Sequence, residues 1–318
     1  MVTSAALAPA IRRGTQTGDI VARLIVFAFA ASILLITAVL VYELWHISAL
    51  NRHKSGLGFL ISRVWNPVTE EYGALPFLYG TVVTSAVALI ISVPFGLGAA
   101  IFLSELAPAR ISNALTFLIE LLAAIPSVIY GLLALFTLVP FMSRYGAPFL
   151  KSTLGFLPLF QGPNYGVGFL TAGIVLSIMT VPYIISVSRE ALLAVPREQR
   201  EAGLALGATR WETTWQVVVP YAKLGILGSI FLSLARALGE TMAVTMVIGN
   251  DPKVTASLLS AGHSIAAVIA GEFSEATTAT YQSALVELGL VLFALTIVIN
   301  GVARLMIIAT TRKGSKRS

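Results

Sequence analysis

The feature that most constrains this chain is a series of apolar runs too long for the interior of a soluble domain. Residues 24–42 and 72–104 carry no charged side chain, and four further stretches of similar length carry at most two. A helix rises about 1.5 Å per residue, so roughly 20 apolar residues cross the ~30 Å hydrocarbon layer of a bilayer. On that measure the expected spans are 24–45, 78–104, 111–139, 168–188, 224–249 and 284–309. Only 11% of the 318 residues are charged, whereas about a quarter are in an ordinary soluble domain. Lipid is therefore the expected solvent. A segment crossing lipid must satisfy its own backbone hydrogen bonds, which a helix does internally. The predicted fold class is all-α, a polytopic membrane protein with about six transmembrane helices.

The net charge of +6 would point to nucleic acid in a soluble protein. Here the basic residues lie between the apolar runs, where they report topology instead; no nucleic-acid partner is expected. With the N-terminus inside, fourteen of the 21 basic residues fall in cytoplasmic segments, among them Arg189, Arg197, Arg200, Arg210 and Lys223. Six fall outside, and Arg236 lies in the membrane. Both termini are accordingly expected in the cytoplasm: a segment 1–23, a transmembrane domain 24–310 and a basic tail 311–318. The first apolar run exceeds a signal-peptide core and reads as an uncleaved anchor. The chain has no cysteine, which removes disulfides, thiolate metal sites and cysteine nucleophiles.

Between the fourth and fifth expected spans lies a charged cytoplasmic loop, 189–222. Val195-Pro196-Arg197-Glu198 reads as a helix start with proline in the first turn. The helix continues through Glu201, Ala202 and Gly203 and stops at Gly207, a left-handed cap residue. Thr209 and Glu212 then have the spacing of a capping box. They start a second short helix on which Trp211 and Trp215 share a face, and Pro220 is expected to end it. A helix–glycine–helix knob suits docking into a groove on a partner. A segment lying on lipid headgroups, where tryptophan is also at home, fits the same residues.

The other notable residues are Arg236 and Glu240 inside the fifth span. An arginine at mid-membrane costs ~2.5–3.5 kcal/mol on insertion scales and normally faces a bundle interior or a wet path. Four apart on a helix, the two can pair. Arginine's planar fork also suits tetrahedral oxyanions, and Glu240 can accept a hydrogen bond from a protonated phosphate, which sulfate cannot donate at neutral pH. A path lining and a structural ion pair between subunits are both open readings, and Thr241 is an adjacent candidate ligand. Glu105 and Glu120 read as headgroup-level or interface charges, without a transport role, and Glu43 as a solvated helix end. His46, His53 and His263 fall in outer loops without metal-ligand spacing, so no metal site is expected. Of the outer loops, 46–77, 140–167 and 250–283, the last contains a short run, 264–275, that reads as a surface-lying helix with an acidic edge. The chain contains no G-x-x-x-x-G-K-[ST], so it has no P-loop for a nucleotide.

The loop also carries a resemblance. Permease subunits of ATP-binding-cassette importers share an "EAA" loop: Glu-Ala-Ala, three residues, Gly, nine residues, aliphatic-x-aliphatic-Pro. This chain reads Glu201-Ala202-Gly203, then Gly207, then Val217 and Val219-Pro220, departing only at Gly203, which costs up to ~1 kcal/mol of helix propensity relative to alanine. Three further segments, Gly73-Ala74-Leu75-Pro76 with Gly80-Thr81, Glu120 to Ser127 with Tyr130-Gly131, and Arg236-Ala237-Leu238-Gly239-Glu240-Thr241, together resemble the phosphate-specific importer, nearer its PstC-like than its PstA-like permease. Almost the whole chain, about 20–310, is covered.

The resemblance implies a type I ABC importer permease fold and half of a path for inorganic phosphate. It implies a coupling role for Glu201, Ala202, Gly203 and Gly207 against an ATPase dimer (PstB-like), which holds ATP and Mg while this chain binds no cofactor. It implies a second permease (PstA-like) and an extracytoplasmic phosphate-binding protein (PstS-like) meeting the outer loops. The location implied is the bacterial inner membrane, and the chain itself is expected to be no enzyme. Competing readings are a permease for sulfate, molybdate or phosphonate, and an ion-coupled secondary transporter. The latter normally shows internal repeats, and none is evident. A membrane-embedded enzyme would need an acid, base or nucleophile constellation, but there is no H-E-x-x-H and no intramembrane histidine.

Overall fold

The computed structural model describes residues 8–315, with side-chain surroundings for 18–306. Residues 1–7 of the expected N-terminal segment and 316–318 of the basic tail lie outside the described residues, as do the side chains of Arg12, Arg13, Arg312 and Lys313. Among the described residues there is no strand beyond an isolated bridge between Asn66 and Glu71.

Six helical stretches among the described residues have the length and apolarity to cross a membrane: Gly18–Ile47, Leu75–Leu106, Ser127–Leu154, Phe169–Leu193, Arg210–Leu238 and Ala279–Met306. We label the helices α1 (Ala8–Ile47), α2 (Leu75–Leu106), α3 (Ala109–Ala123), α4 (Ser127–Leu154), α5 (Phe169–Leu193) and α6 (Arg197–Ala205). The remainder are α7 (Arg210–Leu238), α8 (Met242–Val247), α9 (Ile265–Glu272) and α10 (Ala279–Ser315).

The number of spans agrees with the sequence, and the first, Gly18–Ile47, contains the expected 24–45, but the third and fifth are not where hydropathy put them. Helix α1 begins at Ala8, within the expected N-terminal segment 1–23. The expected third span, 111–139, is two elements. Proline disfavours helical geometry in the residue before it; α3 stops at Ala123, Pro126 is extended (φ −57°, ψ 139°), and the membrane-length helix starts only at Ser127. The expected fifth span, 224–249, is interrupted at Gly239–Thr241, between α7 and α8. Pro220 does not end the second knob helix, which runs on as the start of α7.

That continuity has a local cause. Proline has no N–H for the i−4 carbonyl and its ring crowds that carbonyl. A π turn, with its i→i+5 bond, adds the residue that relieves the conflict. The four π turns, Phe102–Leu106, Ala134–Leu138, Met142–Gly146 and Thr214–Val218, each end two residues before a proline: Pro108, Pro140, Pro148 and Pro220.

Helices α2 and α5 form the central pair, and α7, α8 and α4 pack around them. Three apolar clusters fill the bundle. One surrounds Ile101, Leu192, Val218 and Ile226 at the knob end. A middle one contains Phe169, Leu176, Met179, Val244 and Val247. The third contains Phe59, Phe77, Ile265, Leu285 and Leu288 at the far end. Helix α1 packs on α10, but none of its most apolar stretch is buried within the chain; Leu24, Phe27, Phe29 and Leu34 point outward. Such a face is stable only against lipid or another apolar surface.

Helix α9 is not the surface-lying helix expected from 264–275. Ile265, Ala266, Ala267 and Val268 are buried, and the Ile265 N–H donates to Thr81 Oγ1 at 3.0 Å. At its acidic end Glu272 is partly buried, its Oε2 accepting from Trp65 Nε1 at 2.8 Å and from the Tyr281 hydroxyl, while Phe273, Ser274 and Glu275 are exposed as expected. His263, expected to be a solvated loop residue, is 4% exposed, with its ring edge-on to Phe77. Its Nδ1 accepts the Ser264 N–H at 3.1 Å. Burial pushes this imidazole down to about 4, against a weak opposing pull from Asp251.

Candidate functional site

The two helix interruptions meet. Helices α4 and α8 pack together closely enough that a Cβ on Gly131 would lie 2.9 Å from Ala243 Cα and 2.7 Å from Met246 Sδ. The Tyr130 hydroxyl donates to Leu122 O at 2.8 Å and Tyr183, on α5, to Ala123 O at 3.2 Å. These bonds tie down the end of α3, where Leu122 O also accepts the Ile125 N–H at 3.3 Å and the last carbonyls lack i+4 helical partners. Tyr183 lies about 15 Å from the knob end of α5 and about 21 Å from the other end, counted at 1.5 Å per residue. Along α5 itself the site is thus near half-depth.

Over the ring of Tyr183, at 4.3 Å from its centroid, stands the guanidinium of Arg236, in the last turn of α7. Its Nε is buried and has no hydrogen-bond partner. Arg236 does not pair with Glu240: no ion pair joins them among the described residues. The expectation assumed one continuous helix, whereas α7 ends at Leu238 and the i,i+4 geometry is lost. Glu240 turns instead to the next helix, where its Oε1 accepts the Ala243 N–H at 3.4 Å. The Thr241 hydroxyl donates to Gly239 O at 3.2 Å, and Thr241 O accepts from Thr245 Oγ1 at 2.7 Å. The tertiary structure therefore gathers two of the sequence segments singled out above, 120–131 and 236–241, around one half-buried cation with unused donors. Broken helices at mid-depth are tolerated where they line a cavity or are covered by protein.

The knob is ordered. Helix α6 follows Pro196 and ends before Gly207, whose φ is +85°. The capping box is complete: Glu212 N–H donates to Thr209 Oγ1, and Thr209 N–H donates to Glu212 Oε2 at 2.8 Å. The Trp211 and Trp215 rings meet edge to face at 5.6 Å, both still about half exposed. Glu201, Ala202 and Gly207 face outward, while Gly203 is buried. A Cβ at Gly203 would lie 3.0 Å from Thr213 Cγ2. Glycine here lets the two knob helices approach, which offsets its poor helix propensity.

The roles of three residues escaped the sequence reading. Glu105, read only as a headgroup-level or interface charge, holds Arg200 of the knob through two parallel bonds of 2.9 and 3.1 Å. Glu287, an acid within the sixth apolar run, is 6% exposed and accepts from Asn51 Nδ2 at 2.8 Å. An isolated carboxylate in an apolar run is itself the signal for it. Tyr183 gave no signal, because its role depends on a partner 53 positions away. No group of three or more His, Asp or Glu residues suited to a metal occurs among the described residues.

A chain with six apolar helices, a broken-helix site at half-depth and an ordered knob at one end is a multi-pass membrane permease component. Residues 92–308 match the family of binding-protein-dependent transport system inner membrane components, and the chain belongs to that family. It is 50% identical over 262 residues to the phosphate transport system permease protein PstC of Xylella fastidiosa (strain Temecula1), covering 81% of each chain. It is 47% identical to the protein of that name from Mesorhizobium japonicum, covering 79% of this chain and 78% of the other. To the probable PstC of Methanocaldococcus jannaschii it is 36% identical, covering 85% and 88%. Among solved structures, a chain of a bacterial alginate ABC transporter superposes with a TM-score of 0.60 at 15% identity, covering 91% of this chain and 96% of the other. A chain of the inward-facing MetNI methionine transporter gives 0.54 at 18% identity, covering 78% and 99%. At these identities the likeness shows the fold, that of type I ABC importer permeases.

Proposed function

We propose that this chain is one of two permease subunits that together form the path for inorganic phosphate in an ABC importer of the inner membrane. The observation that carries the reading is the convergence of the two helix breaks on Arg236, in a chain whose relatives are named as phosphate permeases. Arg236 keeps its guanidinium plane against Tyr183 and has donors left for an oxyanion, with which a planar fork makes two parallel hydrogen bonds. Glu240 and Thr241 stand at the start of α8 beside it and contribute to recognising a protonated phosphate. The second permease is PstA-like. The knob, with Glu201, Ala202, Gly203 and Gly207, docks on a PstB-like ATPase dimer that holds ATP and Mg, and this chain carries no catalysis. The distribution of basic residues supports cytoplasmic termini and knob. The far end, with α9, then faces a PstS-like phosphate-binding protein. ATP binding draws the ATPase subunits and both knobs together, opening the cavity outward to receive the anion; hydrolysis resets it.

The test is radiolabelled phosphate uptake in cells lacking this chain, complemented with wild type or Arg236→Ala, with sulfate uptake in parallel. Loss of phosphate uptake alone, restored by wild type and not by an assembled Arg236→Ala, is expected. Unchanged phosphate uptake with impaired sulfate uptake would overturn the substrate while leaving an importer.

A further inference from the structure

The densest polar contact outside the half-depth site lies at the base of the knob. Arg200, in the first turn of α6, donates from Nε to Glu105 Oε2 at 3.1 Å and from Nη2 to Glu105 Oε1 at 2.9 Å. Nη2 also donates to Leu192 O at 2.8 Å, and Nη1 donates to Val195 O. One guanidinium thus ties three elements: the knob, the π turn that ends α2, and the C-terminal end of α5, through the carbonyl of Leu192 in its last turn and that of Val195 just beyond it. The side chains are 21% and 10% exposed. Helix α6 does not need this contact to form, since it has its own proline start and glycine stop.

We propose that Glu105 and Arg200 are positioning residues that pass movement of the knob to α2 and α5, resting on the reading of the chain as an ATPase-driven permease. The apolar contacts at the knob base run through Leu192, Val195, Val218 and Ala222. Apolar contact is non-directional and lets surfaces slide. A bidentate guanidinium–carboxylate pair fixes both distance and plane, and two carbonyl bonds from the same rigid group lock the end of α5 to it. Helices α2 and α5 are the most extensively packed pair in the chain, so they move together. Tyr183 lies on α5 about 14 Å beyond Leu192, against Arg236. A displacement of the knob therefore reaches the half-depth cation along one helix. With the joint loosened, the ATPase still binds and turns over, but its strokes are no longer delivered to the path.

The experiment uses the complete importer, with both permeases, the ATPase dimer and the phosphate-loaded binding protein, in proteoliposomes. ATP hydrolysis and phosphate uptake are read from the same sample. Glu105→Gln keeps the shape but places an amide N–H₂ against the guanidinium; Arg200→Lys keeps the charge but loses the fork. Both are expected to assemble, to hydrolyse ATP within about twofold of wild type, and to move at least tenfold less phosphate per ATP. An unchanged ratio in assembled complexes overturns the proposal. Should either fail to assemble, Glu105→Asp, one methylene shorter with its charge kept, is read instead, and an unchanged ratio there is equally decisive. A wild-type complex that hydrolyses ATP but accumulates sulfate overturns the phosphate reading alone, because the ratio is then read with sulfate.

Discussion

Replacing Arg236 by lysine separates a path residue from a structural one. Lysine keeps the positive charge but offers a rotating ammonium in place of a planar fork. Two interactions change. The guanidinium stacked 4.3 Å from the Tyr183 centroid is lost; cation–aromatic contacts contribute ~0.5–2 kcal/mol, depending on desolvation. One of two parallel bonds to an oxyanion is also lost, and a hydrogen bond to a charged group contributes ~1.5–3 kcal/mol. Only the second is specific to the loaded state. At 1.4 kcal/mol per factor of ten it predicts uptake about 10- to 150-fold slower at subsaturating phosphate. Assembly should change little, because Arg236 has no carboxylate partner among the described residues to lose. The assay is initial phosphate uptake in membranes, divided by the amount of permease pair recovered after mild solubilisation. If the variant assembled poorly and whatever assembled transported normally, Arg236 would be holding subunits together and the path reading would be refuted.

Other consequences are equally concrete. Gly131→Val pushes α4 away from α8, since even a Cβ there meets Ala243 Cα at 2.9 Å; overpacking of this kind costs ~1–3 kcal/mol, seen as a lower melting midpoint of the purified importer together with reduced uptake. Thr209→Ala removes the capping-box hydroxyl and about 1 kcal/mol of helix stability, and should weaken ATPase binding in a pull-down titration without altering membrane insertion. His263, held near 4 by burial against ~6.5 in an unfolded chain, favours the fold most when neutral; its stabilisation is complete above pH 6.5 and declines as pH falls towards 4. The loss is about 2 kcal/mol at pH 5 relative to pH 7.5. Melting midpoints at the two pH values should therefore converge in His263→Gln, and an undiminished difference would assign the effect to other groups.

The sequence by itself determined the solvent, the number of spans and, in the knob, the two helix starts and the glycine stop between them, though not the end of its second helix. These follow from local rules. Twenty apolar residues cross a bilayer regardless of their neighbours, and Pro196, Gly207, Thr209 and Glu212 set helix ends through bonds that reach no further than four positions. Even Gly203, a departure from the EAA pattern, was legible as a residue, though its reason, the approach of Thr213, was not. What only the tertiary structure decided is where the apolar runs break and what those breaks face. Hydropathy reads 111–139 and 224–249 as single spans because the interrupting residues, Pro126 and Gly239, are themselves compatible with an apolar window. The break after Leu238 parts Arg236 from Glu240, four positions away in sequence. Long-range packing decides the new partners: Arg236 rests on Tyr183, Glu105 reaches Arg200 across 95 positions, and the apolar run at 265–268 is drawn into the core instead of lying on a surface. A side chain's partner across helices is set by how the helices cross, and no period in the sequence records that.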